Sequence, residues 1–173
     1  MSVFEVALRN AINCELITKF EINQWYNHFP TTAGLSKLTK EISIAQNQIT
    51  KRRELVTPPK VVAELIFGFW ARLFNKEFEL ILWKDLRRTF PFMPKGIKQR
   101  KYISAPINNF RNFRNRIFHN EPICWNLAKL EEIHNQMDEV LGWINKDLPN
   151  WIQQFDRFKS VSEKVNIQLY RKE

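Results

Sequence analysis

Acid is missing from one long stretch of this chain of 173 residues: no Asp or Glu falls from Leu86 through Asn120. Glycine is scarce, at four residues, which disfavours a loop-rich β fold and leaves no Walker or Rossmann phosphate cradle. The two cysteines, Cys14 and Cys124, are too few for a disulfide framework and fit a reducing compartment, the cytoplasm. His28, His119 and His134 are scattered, none with a Cys or His partner at a ligand spacing, so neither a metal nor a cofactor is expected. No apolar run approaches the roughly 18 residues of a membrane span. The N-terminus lacks the basic-then-apolar layout of a signal peptide. No membrane partner is expected.

What is present is apolar, aromatic and basic. Hydrophobic residues make up 44% of the chain, enough for one well-filled domain over residues 1–173, and aromatics 13%, including 14 Phe and 6 Trp that need burial or an interface. Net charge is +9. The acid-free stretch holds nine bases: Arg87, Arg88, Lys95, Lys98, Arg100, Lys101, Arg111, Arg114 and Arg116. Outside it 18 basic residues balance 18 acidic ones. The excess is therefore confined to one segment, and such a focus suits a polyanion such as RNA.

Periodicity points to helices throughout. Ser2 and Glu5 have the spacing of a capping box, and Phe4, Ala7, Leu8, Ala11 and Ile12 form a stripe to about Leu16. Residues 18–34 are an irregular link. Leu35, Leu38, Ile42, Ala45 and Ile49 share one face of a helix running to about Leu55. Thr57-Pro58 starts another, whose stripe Val62, Leu65, Ile66, Phe69, Trp70 and Leu73, extended by Phe67 and Phe74, predicts the central buried helix. Gly68 in it would permit a close approach. A shorter helix covers 78–86, and Phe90-Pro-Phe-Met-Pro94 is a loop folded onto the core. Residues 126–147 form a further helix, with His134 in its stripe as a hydrogen-bonded core histidine. A last helix ends near Lys164, and 165–173 is a short strand or an unfixed tail. The sum is an all-α bundle of about five to seven helices.

The segment 107–120 carries the chemistry. Phe110, Phe113 and Ile117 have core spacing; Arg114 falls beside that stripe, a costly place for a guanidinium without a partner. Asn115 and His119, one turn apart, share the neighbouring polar edge, and Glu121-Pro122 closes the helix so that His119 lies in its last turn. Histidine moves protons near neutral pH, arginine holds a phosphate in a fork, and asparagine can orient either. This inventory suits RNA cleavage by attack of its own 2′-hydroxyl on the neighbouring phosphate, which needs no metal. Lys98, Arg100, Lys101, Arg111 and Arg116 would attract the strand. One catalytic histidine per chain leaves either the base or the acid unfilled, and a symmetric homodimer supplies the second.

The string Arg114-Asn-Arg-Ile-Phe-His119, set in Phe113 to Ile123, resembles the arginine, polar residue, spacer and histidine signature of the HEPN superfamily, in the form of its abortive-infection (Abi-like) branch. Phe4 to Ile12 is similar to that branch's early helix, and Phe67 to Phe74 with Trp83 and Phe90-Pro91 to its central part. Members similar to this one usually carry more chain before the early helix, whereas here Met1 falls almost on it. The resemblance implies a helical bundle, commonly dimeric, with the two motifs facing each other across the interface. It implies metal-independent RNA cleavage by a toxin or phage-defence effector, with Arg114 and His119 as catalytic pair and Asn115 in support. The alternatives are an RNA- or nucleotide-binding module that does not cut, and a protein-interaction component of a toxin held by an antitoxin protein or RNA.

Overall fold

The computed structural model describes residues 1–123 and 126–170, with side chains through residue 164. Cys124, one of the two cysteines read as marks of a reducing compartment, lies outside the described residues, as do residues 171–173 of the expected tail. Cys14 is a free, exposed thiol.

Among the described residues there are nine α-helices, short 3₁₀ turns and no strand: an all-α bundle. The helices are α1 (Ser2–Phe20), α2 (Thr39–Lys51), α3 (Pro58–Glu64), α4 (Phe67–Arg72), α5 (Glu79–Leu86), α6 (Arg100–Phe118), α7 (Leu127–Ile144), α8 (Leu148–Gln153) and α9 (Phe158–Tyr170). The backbone of 165–170 continues α9, so the expected strand is replaced by helix. No helix among the described residues is long and apolar enough to cross a membrane.

The hub is α1, which packs against α4, α5 and α7. Its stripe Phe4, Leu8, Ile12 and Leu16 is sealed from solvent. The expected capping box is absent: Met1 is the N-cap, without a side-chain cap bond, and the Glu5 carboxylate is used elsewhere. The stripe of α2 and the turn before it is buried from Leu35 through Ile49 as its spacing dictates. Gly34 precedes it at φ 83°, where a Cβ would lie 2.7 Å from Ile81 Cδ1, so α5 closes over a turn that only glycine fits.

The expected central helix over 58–74 is two helices. Leu65 and Ile66 are extended, and the chain turns between α3 and α4. A straight helix would carry Phe67, Phe69, Trp70, Leu73 and Phe74 nearly all round its surface, and several would face water. The break re-aims α4 so that all five are buried, at the cost of leaving Ile66 66% exposed. Trp70 Nε1 donates to the Leu65 carbonyl at 3.2 Å, satisfying an acceptor at the break. Gly68 is not a close-approach site: an added Cβ would meet Ile66 Cδ1 at 3.7 Å, ordinary contact.

The loop after α5 folds onto the core as expected, with Phe90 and Met93 buried. Half-buried ion pairs brace the surface: Arg72 with Glu41, and Lys19 with Asp85 at 2.6 Å.

Candidate functional site

α6 is pinned at its start. Arg100 donates through Nε to Glu79 at 2.9 Å and through Nη1 to the Phe74 carbonyl at 2.9 Å. Ile103, Ile107 and Phe110 are then fully buried, and Phe110 meets Phe4 edge-on at 4.9 Å. Pro106 lies inside the helix rather than at its start. After Phe113, which is half-buried, the core runs out. Ile117, expected to face inward, is 43% exposed, and Phe118 is 73% exposed. The stripe continues in sequence, but its last turn is left uncovered among the described residues.

Arg114 sits where the core ends. Its Nε donates to Glu5 Oε1 at 2.9 Å, and its guanidinium carbon lies 5.8 Å from the Phe118 ring centre. Both side chains of the pair are half-buried. Glu5 thus answers the demand for a partner that an arginine beside a greasy stripe creates. Among the described residues only Nε is engaged, which leaves the terminal Nη donors for a phosphate fork. A cleft of about 210 Å³ opens beside the pair, lined among others by Arg9, Glu64, Ile66 and Trp70. Arg52 holds the Glu64 carboxylate at 2.7 Å, and that contact keeps Glu64 well below the ordinary carboxylate range.

Asn115 and His119 are exposed on the neighbouring edge. His119 is the residue just beyond α6 rather than part of its last turn. Asn120 reverses the chain at φ 53°, and the N–H of Glu121 donates to the Arg116 carbonyl at 2.9 Å, a helix-closing turn with asparagine in the left-handed position. Arg116 reinforces it, bonding Glu121 at 3.1 Å and the Pro122 carbonyl at 2.9 Å. The helix therefore closes through Asn120, two residues before the proline. On a helical wheel Asn115 and His119 are about 40° apart, whereas Arg114 and His119 are about 140° apart. One edge of the helix thus carries both Asn115 and His119, while the Arg114 guanidinium is turned toward Glu5 of α1.

The basic segment looks different in space than in sequence. Arg88 is paired with Glu15 at 2.7 Å, Arg100 with Glu79, Arg114 with Glu5, and Arg116 with Glu121. Of the residues proposed to meet RNA, Arg100 and Arg116 have committed donors, whereas Lys98, Lys101 and Arg111 form no ion pair among the described residues. Lys101 is exposed; Lys98 and Arg111 are half-buried.

The other histidines are occupied. His28 stacks on Phe20 at 5.3 Å. His134 is hydrogen-bonded, as expected, but it is a half-buried clasp rather than a core residue. Its Nε2 lies 2.7 Å from Asp156, its Nδ1 3.8 Å from Asp138, and its ring stacks on Phe158 at 4.5 Å, tying α7 to the start of α9. Burial raises the Asp138 carboxyl. Burial also pushes Asp156 up, but the Phe158 N–H and the His134 ring outweigh it and leave Asp156 lowered. Among the described residues, no three His, Cys, Asp or Glu side chains gather as a metal site would require.

No known protein family model matches the chain, and no curated protein or solved structure shows significant similarity to it.

Proposed function

We propose that the chain is a metal-independent endoribonuclease acting as a homodimer, as the HEPN-like ridge implies, and serving in the cytoplasm as a toxin or phage-defence effector. The observation that carries this reading is the end of α6. Asn115 and His119 stand open to solvent, Arg114 is held by Glu5 on another face of the same helix end with no bond from its terminal donors among the described residues, and Ile117 and Phe118 offer an uncovered apolar seam for a second copy.

In the proposed reaction His119 takes the proton from a ribose 2′-hydroxyl. That oxygen attacks the adjacent phosphorus, and the bond to the 5′-oxygen breaks. The leaving oxygen takes a proton from His119 of the partner subunit, giving a 2′,3′-cyclic phosphate and a free 5′-hydroxyl. Arg114 stabilises the charge that builds on the phosphorane, and Asn115 orients the imidazole or the phosphate. Because Arg114 and His119 diverge within one chain, each site would combine residues of both subunits. Lys98, Lys101 and Arg111 attract the strand; Arg100 and Arg116 act by holding the two ends of α6.

A second reading, an RNA-binding module that does not cut, draws on that same divergence, which leaves a lone monomer without a converged site. A third, a toxin-like component held by an antitoxin, draws on the exposed Phe118, Trp151 and Phe155. Purified protein incubated with RNA in EDTA separates the three. Cleavage lost in His119→Ala supports the nuclease. RNA binding by both proteins without products supports the second reading, and salt-insensitive capture of a protein with no RNA bound supports the third.

A further inference from the structure

The end of the bundle remote from His119 carries a second constellation, built from the 92–102 segment and the turn after α7. Phe92 is 46% exposed and Tyr102 43% exposed. Phe92 does not dangle: Phe90 and Met93 are buried on either side of it, and its N–H donates to the Trp143 carbonyl at 3.1 Å. Each ring has a lysine against it. Lys146 Nζ lies 5.0 Å from the Phe92 ring centre, and Lys101 Nζ 4.9 Å from that of Tyr102. Lys95 and Lys98 lie between the two rings in the chain. None of these four lysines forms an ion pair among the described residues. Glu79 is paired with Arg100, beside Lys101 in the chain, and Asp147 follows Lys146.

We infer that this end is a platform for single-stranded RNA, an inference that rests on the RNA reading above. A ring with a cation at about 5 Å offers a nucleotide both things it presents, a π face for the base and a positive charge for the phosphate. Two such pairs, with lysines between them in the chain, hold nucleotides of one strand without reading their sequence. Lys101 and His119 are 18 positions apart, about 27 Å along α6 at 1.5 Å per residue. The platform therefore grips the strand well away from the scissile bond, and RNA too short to span both ends loses affinity rather than turnover.

The test is binding of a fluorescent oligouridine of about 12 nucleotides to protein carrying His119→Ala, which removes cleavage from the readout, with circular dichroism to confirm folding. Phe92→Ala and Tyr102→Ala should each weaken binding about tenfold. Replacing Lys95, Lys98, Lys101 and Lys146 by Gln should lower the log–log salt slope by about 3, at roughly 0.7 per phosphate contact. Affinity within about twofold of the parent in both the ring and the lysine variants would overturn the inference. So would ring variants that bind the oligouridine as the parent does while only the lysine variant weakens, a plain polyanion patch. If the platform binds but protein with His119 intact leaves RNA uncut, this inference stands and the nuclease reading falls. Cleavage with no loss of affinity in the variants does the reverse.

Discussion

The two ends of α6 are made from the same residue types and do opposite things. At the start, Arg100 spends its donors on Glu79 and a backbone carbonyl, and the next two turns bury Ile103, Ile107 and Phe110 completely. At the finish, Arg114 spends only Nε among the described residues, while Ile117, Phe118 and His119 face water. An arginine or a phenylalanine is thus structural or functional according to what the rest of the chain brings to it. The difference lies in whether the rest of the bundle covers that turn: Ile103 and Ile107 are covered, and Ile117 and Phe118 are not.

The largest expected effect is His119→Ala, which should cost about 10²- to 10⁴-fold in cleavage rate while leaving the urea midpoint unchanged. A shared loss of activity and stability would make His119 structural. Next, Phe110→Ala should destabilise by about 3–5 kcal/mol in equilibrium unfolding, whereas Phe118→Ala should stay within about 0.5 kcal/mol and weaken dimer formation by sedimentation. Equal destabilisation would erase the contrast between the two ends. Smaller still is the Glu5–Arg114 pair. A double-mutant cycle with Glu5→Gln and Arg114→Gln should give a coupling of about 0.5–1 kcal/mol once solvent screening is allowed for. Glu5→Gln should also reduce the cleavage rate by freeing the guanidinium to wander.

The smallest effect is on pH. Asp156 is lowered in the fold, so its share of stability is present above its unfolded value and is lost as pH falls through the folded one, in the acid range below about pH 4. Asp138 is raised, so its share has the opposite sign: it favours the fold below the unfolded value and disappears as pH rises through the folded one. Asp156→Asn should therefore flatten the acid limb of a stability–pH curve, and Asp138→Asn should raise the neutral plateau slightly.

Much of the fold could be read from spacing alone. Phe4, Leu8 and Ile12 on α1, and Leu35 to Ile49 before and along α2, are buried because a helical stripe has no other low-energy place to go. The break at Leu65–Ile66 could not be read: no proline or glycine marks it, and it exists because five large side chains between Phe67 and Phe74 need burial at once. The site was half legible. The cost of an arginine beside the Phe110–Phe113 stripe was visible in sequence, but its partner lies 109 residues away, and local pattern gave Glu5 a capping role instead. The acid-free run from Leu86 to Asn120 was real in sequence, yet four of its nine bases are paired with acids, three of them (Arg88, Arg100 and Arg114) across space, which no charge count along the chain reveals.

The decisive measurement is cleavage of end-labelled RNA in EDTA as protein concentration passes through the monomer–dimer transition, with His119→Ala alongside. The account predicts products ending in 2′,3′-cyclic phosphate, formed at a rate that follows the dimer and absent from the variant. Intact RNA at every concentration, or equal cleavage by His119→Ala, would contradict it.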